Sequence, residues 1–278
     1  MEVILAKEMG FCWGVKRALE LAEKAAAQHG QVHTLGPLVH NDQVAKRLEG
    51  LGVHMAENVA DVAGGVVAIT SHGAPPQVAE EAYRRGLTVV DTTCPFVRRV
   101  QRLAREMAED GYTVYVFGDE GHSEVVGIVG WSGGRARIIS SADQVGPDAR
   151  KIGLLSQTTK NLDAYRHLAM EVLRRSLGNC LEVRVHNTIC DATLKRQEAA
   201  ALLAGQAEVI IVVGSAKSAN TRRLVELCSA QGLPTYRIEE AGEIDFAWLR
   251  DKKKVGVTAG ASTPDWIVGP VVDTLRKL

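Results

Sequence analysis

Short runs of consecutive apolar, often β-branched residues alternate along this chain with longer amphipathic stretches. The runs Val3–Ala6, Val66–Thr70, Thr88–Asp91, Thr113–Phe117, Ile152–Leu155, Glu182–Val185, Val209–Val213, Thr235–Ile238 and Val255–Thr258 predict strands. Many are apolar on successive positions, the pattern of parallel strands covered on both faces. Val15–Gln28, Val97–Glu109 and Asn161–Ser176 carry apolar residues at helical spacing and predict helices between them. Strand–helix–strand alternation of this kind predicts an α/β fold.

A weak internal repeat organises the pattern. The windows Met9–Arg17, Thr92–Arg99 and Thr188–Arg196 each follow a predicted strand, and each places a cysteine at the head of a basic, helix-forming stretch. Gln101 and Gln197 both stand seven residues beyond their cysteine. Cys12, Cys94 and Cys190 are 82 and 96 residues apart, and 88 residues follow the last. The spacing predicts three α/β units with mostly parallel sheets, related by a pseudo-threefold axis around a central site. Their bounds are 14–95, 96–190 and 191–278, with the N-terminal strand segment 1–13 completing the last, because Cys12 comes too early to have a strand set of its own.

Equivalent places in three such units would meet at the axis. Three thiolates meeting there repel unless a cation neutralises them, which makes a metal the natural occupant. Each cysteine also stands where a helix begins, and Pro95 fits the first helical position. The positive end of a helix and its unbonded N–H groups favour a thiolate. Structural zinc and structural iron–sulfur sites usually close with four protein ligands, so three leave one metal position open. The bland reading is that these are buried cysteines acting as small hydrophobes; spacing without C-x-x-C does not separate the two. Cys180 and Cys228 lack the repeat context and read as core or surface thiols.

Composition narrows the field. At 278 residues the chain exceeds the usual size of one domain. Lys and Arg number 33 and so do Asp and Glu, a balance that gives no support to a nucleic-acid or membrane-surface partner. An anionic ligand must therefore be held by a local site. No apolar run approaches the roughly 20 residues that span a bilayer, and the start MEVILAKEMG lacks a signal-peptide core. The chain reads as cytoplasmic, with its five cysteines reduced.

A second set of candidates follows the strands. His40 comes after the turn Gly36-Pro37, and His72 and His122 directly follow predicted strands. Ligands of open α/β sheets gather beyond the carboxyl ends of strands, where imidazoles can bind phosphate. Backbone-bonded loop histidines are the alternative. Glu124 lies two residues past His122 and can deliver protons if burial raises its pKa; otherwise it is a solvated loop residue. Ser218 and Asn220 after Val209–Val213, Ser262 after Val255–Thr258, and Thr158 after Ile152–Leu155 sit in polar strand-to-helix turns suited to an oxyanion or, equally, to helix capping. None of these turns is a nucleotide fingerprint.

Joined in order, Gly10-Phe-Cys12, Leu38-Val-His40-Asn41, Ser71-His72-Gly73, Asp91-Thr-Thr-Cys94-Pro95, Gly121-His122-Ser-Glu124, Gln157-Thr158-Thr159, Asn187-Thr-Ile-Cys190, Gly214-Ser215 with Ser218 and Asn220, and Gly256 through Ser262 resemble the 4-hydroxy-3-methylbut-2-enyl diphosphate reductases, the last enzymes of the non-mevalonate isoprenoid pathway. The resemblance implies one [4Fe–4S] cluster on Cys12, Cys94 and Cys190 with one iron open to substrate. It implies that His40, His72, His122, Ser218, Asn220 and Ser262 hold the diphosphate, that Glu124 supplies protons, and that Thr158 orients the hydroxyl end. An external ferredoxin- or flavodoxin-type donor would supply electrons. Two departures stand out: Ala219 where the family often has a second serine, and Trp13 where a small residue commonly follows the first cysteine. Two rival readings remain, an iron–sulfur hydro-lyase needing no reductant and a phosphate-binding module with structural zinc.

Overall fold

A computed structural model describes residues 1–278. The chain opens with strand β1 (Glu2–Leu5) and helix α1 (Trp13–His29). Then come β2 (Val32–Leu35), α2 (Asp42–Glu49), β3 (Val53–Ala56), β4 (Val66–Ile69), α3 (Pro76–Arg84) and β5 (Thr88–Asp91). Helix α4 (Pro95–Glu109) leads to β6 (Thr113–Phe117), α5 (Ser123–Trp131), β7 (Arg137–Ile139), β8 (Lys151–Ser156), α6 (Leu162–Ser176) and β9 (Glu182–Val185). Helix α7 (Asp191–Ala204) leads to β10 (Val209–Val213), α8 (Ala219–Ser229), β11 (Thr235–Ile238), β12 (Lys254–Ala259) and α9 (Asp265–Arg276).

The strands form three four-stranded, wholly parallel sheets: β3-β2-β4-β5, β7-β6-β8-β9 and β11-β10-β12-β1. The three orders are one pattern, second-first-third-fourth, so the α/β units are similar to one another. In the last sheet β1 supplies the fourth strand, pairing Val3 with Val255 along β12. In each sheet the first and third strands are neighbours with connections leaving to opposite sides, which opens a crevice at their carboxyl ends. The cysteine follows the fourth strand every time.

By compactness the chain forms two units, one of residues 1–16, 39–44 and 191–278, the other of residues 17–38 and 45–190. In the first, β10 is apolar and fully buried along its length. Val209, Ile211 and Val213 pack with Val271 and Leu275 of α9, while Ile210 and Val212 pack with Ala200 and Leu203 of α7 and Leu224 of α8. Alternate residues thus bury both sheet faces, as a covered parallel strand requires. In the second, Val100, Ala104 and Met107 of α4 cover Val114, Val116 and Leu155, and Ala82 lies in the cluster that covers Val67.

Small residues at the third position of β8 and β12 set how closely the cysteine-headed helices approach. A Cβ on Gly153 would stand 2.3 Å from Met107 Cε of α4, and one on Gly256 would stand 2.9 Å from Leu203 Cγ of α7. Side chains there would force Met107, Ile210 and Leu203 to shift in the packing between the sheets and helices α4 and α7.

The predicted strands are all present within a residue of their expected ends. Three strands carry no strand prediction: β2, which interleaves His33 and Thr34 with its apolar residues, and the edge strands β3 and β7, the latter only three residues long.

Candidate active site

One backbone hydrogen bond recurs in all three units. The amide of Cys94 donates to Ser71 O at 3.0 Å, that of Cys190 to Thr158 O at 3.0 Å, and that of Cys12 to Ala261 O at 3.2 Å. Each acceptor lies two residues beyond a third strand. The bond ties every cysteine to the loop that carries candidate binding residues: Ser71 precedes His72, Thr158 is itself a candidate, and Ala261 precedes Ser262. Cys12, Cys94 and Cys190 each immediately precede a helix, and none is in a disulfide. Cys94 is the N-cap of α4, and the amide of Val15 donates to Cys12 Sγ at 3.4 Å. Cys228 is buried, with its thiol pushed up to about 11 by desolvation, and Cys180 lies before β9.

Glu124 is not a solvated loop residue. It occupies the first turn of α5, is 2% exposed, and accepts from Thr158 N at 2.6 Å and Thr158 Oγ1 at 2.8 Å. Burial raises its pKa to about 7 against the opposing pull of the two Thr158 bonds, with Asp119 adding a small upward push. His122 caps the same helix, its Nδ1 accepting the Glu124 amide at 3.2 Å. That bond leaves the neutral ring's proton on Nε2. His72 meets His122 edge-on, ring centroids 5.7 Å apart.

In the unit that contains Cys12, Ser218 caps α8 and Asn220 stands in its first turn. Asn220 Oδ1 accepts the Ala261 amide at 2.9 Å, so one residue, Ala261, is held by Asn220 through its N–H and holds Cys12 through its carbonyl. Asn220 Nδ2 is buried with no partner, a donor turned inward without an acceptor, which is costly unless a ligand supplies one. Ser262 Oγ donates to His40 O at 3.3 Å. His40 is held below its ordinary pKa by burial first, then by Arg222 and Lys217, with Asp42 opposing. Lys217 and Arg222 therefore give this loop a positive field that no sequence motif signals; Lys217 is paired with Asp42 at 3.0 Å.

No three His, Cys, Asp or Glu side chains close on one point as a single metal ion requires.

Comparison with known proteins decides the family. The LytB protein family matches residues 3–276. The chain belongs to the LytB family. The 4-hydroxy-3-methylbut-2-enyl diphosphate reductase of Geobacter sulfurreducens is 44% identical over 279 residues, covering 100% of this chain and 98% of that one. The enzyme of the same name from Trichlorobacter lovleyi is 46% identical over 280 residues, covering 100% and 99%. The solved E-1-hydroxy-2-methyl-but-2-enyl-4-diphosphate reductase of Plasmodium falciparum superposes with a TM-score of 0.92 at 27% identity, over 99% of this chain and 88% of that one.

LytB proteins are reductases that use an iron–sulfur cluster, and this chain is an enzyme of that kind. Its residues suit the group: three thiols outside disulfides, each at a helix N-terminus, one already accepting an amide proton. Of the two departures, Ala219 is the buried first residue of α8, and Trp13, the first residue of α1, is 61% exposed. No helix in the chain is long and apolar enough to cross a membrane.

Proposed function

We propose that this LytB enzyme carries out the two-electron reductive dehydroxylation of 4-hydroxy-3-methylbut-2-enyl diphosphate to isopentenyl and dimethylallyl diphosphate. The allylic C–O bond breaks, a C–H bond forms, two electrons and two protons are consumed, and water leaves. Cys12, Cys94 and Cys190, one from each of the segments 14–95, 96–190 and 191–278 with 1–13, hold one [4Fe–4S] cluster. When bound, such a cluster supplies single electrons and one iron free to act as a Lewis acid.

The observation that carries the reading is the buried Glu124–Thr158 pair. With a pKa of about 7, Glu124 is partly protonated at neutral pH, as an acid working there needs. When ionised it accepts the Thr158 hydroxyl proton. When protonated it donates to Thr158 Oγ1, which turns the threonine hydrogen outward toward a leaving hydroxyl. Thr158 thus relays the proton and orients the alcohol. His40, His72, His122, Ser218, Asn220 and Ser262 hold the diphosphate: Asn220 Nδ2 gains its missing acceptor, and the anion relieves the cationic field on His40, raising that imidazole's pKa. Electrons come from an external ferredoxin- or flavodoxin-type donor, and the enzyme works in the cytoplasm.

Anaerobic purification followed by assay tests this. The expected protein is brown, contains iron and sulfide in equal amounts, and turns the diphosphate over only when a reductant is present. Turnover without reductant identifies a hydro-lyase instead, and zinc without iron or sulfide overturns the reading altogether.

A further inference from the structure

We propose that the arginine face of α4, beginning at Cys94, is the docking surface for the protein that delivers the electrons, an acidic low-potential electron carrier. The inference rests on the reductase reading and deepens it by naming the entry face.

Arg17, Arg98, Arg99 and Arg102 line a shallow groove of about 420 Å³ together with Thr93 and Pro95. Four of its six lining residues are cations and none is acidic, on a chain whose formal net charge is zero. The groove is therefore a local concentration of charge and not a sample of a basic surface. Arg17 is built in, donating to Thr92 O at 3.5 Å and Thr93 O at 3.3 Å. The other three project from α4 into solvent. Arg98 pairs with exposed Asp91, Arg102 approaches exposed Glu106 at 3.6 Å, and Arg99 makes no ion pair. Exposed pairs of this kind contribute little and exchange readily, so an incoming carboxylate can take over their arginines. Phe96, in the first turn of the same helix, is 39% exposed. Arginine with an aromatic neighbour is the composition that protein interfaces favour.

Position selects the partner. Thr93 and Pro95 flank Cys94 in the chain, and both line the groove. Whatever docks there sits against the residues that flank a proposed cluster ligand, which gives an electron a short route in. The cations select a carrier rich in Asp and Glu and steer its approach. Two reduced carriers each give up one electron in turn, and these two electrons with two protons account for the C–O bond broken, the C–H bond formed and the water released.

The test compares the iron-loaded enzyme with its Arg99→Glu/Arg102→Glu form, using reduced plant-type [2Fe–2S] ferredoxin as the carrier. Titration is expected to show ferredoxin affinity falling by about tenfold or more at low salt, with a shallower ionic-strength dependence. Ferredoxin-driven turnover falls in parallel, while turnover driven by photoreduced deazaflavin stays within about twofold, because a small reductant needs no docking face. Arg99→Gln/Arg102→Gln gives an intermediate loss and serves if the glutamate form does not fold; Arg99→Lys/Arg102→Lys retains binding. Unchanged ferredoxin affinity and rate in the glutamate or glutamine form overturns the proposal. Absence of deazaflavin-driven turnover in the unaltered enzyme overturns the reductase reading instead, and the affinity measurement still judges the surface.

Discussion

The carbonyl of Thr158 accepts the amide of Cys190 at 3.0 Å while the same residue's amide and hydroxyl hold the carboxyl of Glu124. One buried threonine therefore fixes the acid and a proposed cluster ligand relative to each other. The acid sits at the head of α5 and the thiol at the head of α7, elements far apart in the chain. A displacement of either is transmitted to the other through three short hydrogen bonds, so the pair is preorganised before any substrate arrives.

Glu124→Gln keeps the shape of the side chain and one acceptor oxygen, but it puts an N–H donor in place of the second acceptor and cannot deliver a proton. Turnover is expected to fall by about 10²–10⁴-fold, the usual contribution of a positioned acid, with KM changed little because the diphosphate contacts are untouched. Steady-state kinetics with a chemical reductant measure it. Turnover equal to that of the parent protein removes Glu124 from the proton path.

The same residue makes stability depend on pH. Its folded pKa of about 7 lies above the ordinary carboxylate value of 4.5. Between those values the folded chain binds a proton that the unfolded chain has released, so stability falls as pH rises through that window and levels off above it. Glu124→Gln lacks this loss, and its stability relative to the parent rises by about 2–3 kcal/mol between pH 4.5 and pH 8. Thermal unfolding of the two proteins side by side reads the difference, and parallel pH profiles would contradict it. In the parent, turnover is expected to decline above pH 7 as Glu124 loses its proton, which a pH–rate profile measures.

Thr158→Val removes the hydroxyl and keeps the amide bond to Glu124. Because the lost bond lowers the carboxyl pKa, that pKa climbs further and the alkaline limb of the rate profile moves to higher pH. Turnover drops by at least about tenfold through loss of the relay, while Thr158→Ser restores both the rate and the profile. A valine form whose profile stays in place shows that the hydroxyl does not set the acidity of Glu124.

Much of this arrangement was legible in the residues. Strands such as Val209–Val213, apolar at every position, announce a covered parallel sheet, and the cysteine at the head of each basic helix announces the repeat. The rest depends on tertiary packing. Strands β2, β3 and β7 are short or alternate with His and Thr, so local propensity is silent. Helix α5 reads Ser-Glu-Val-Val-Gly-Ile-Val-Gly-Trp, a poor helix former by composition. Its glycines exist for close approach: Cβ atoms on Gly127 and Gly130 would meet Gln101 and Pro75 at 2.9 and 2.5 Å. Glu124 is buried in this helix, and no local pattern reveals it. The Thr158 amide and the field of Lys217 and Arg222 on His40 are likewise invisible until the chain is folded.

The head of α8 offers a two-way test of the diphosphate site. Asn220→Asp keeps the acceptor that holds the Ala261 amide but replaces the unpartnered Nδ2 with a carboxylate oxygen facing the anion. Repulsion in place of a hydrogen bond to a charged group is expected to cost at least about 1.5–3 kcal/mol of binding, a rise in KM of roughly tenfold or more. Ala219→Ser works in the opposite direction, adding a hydroxyl beside Asn220 at the N-terminus of α8. One neutral hydrogen bond gained contributes about 0.5–1.5 kcal/mol, a severalfold lower KM. Both effects should lie in KM and in the affinity for inorganic diphosphate, with kcat little altered, because neither residue touches the proton path. If Asn220→Asp binds diphosphate as tightly as the parent, the buried amide is a structural group and the anion is held elsewhere.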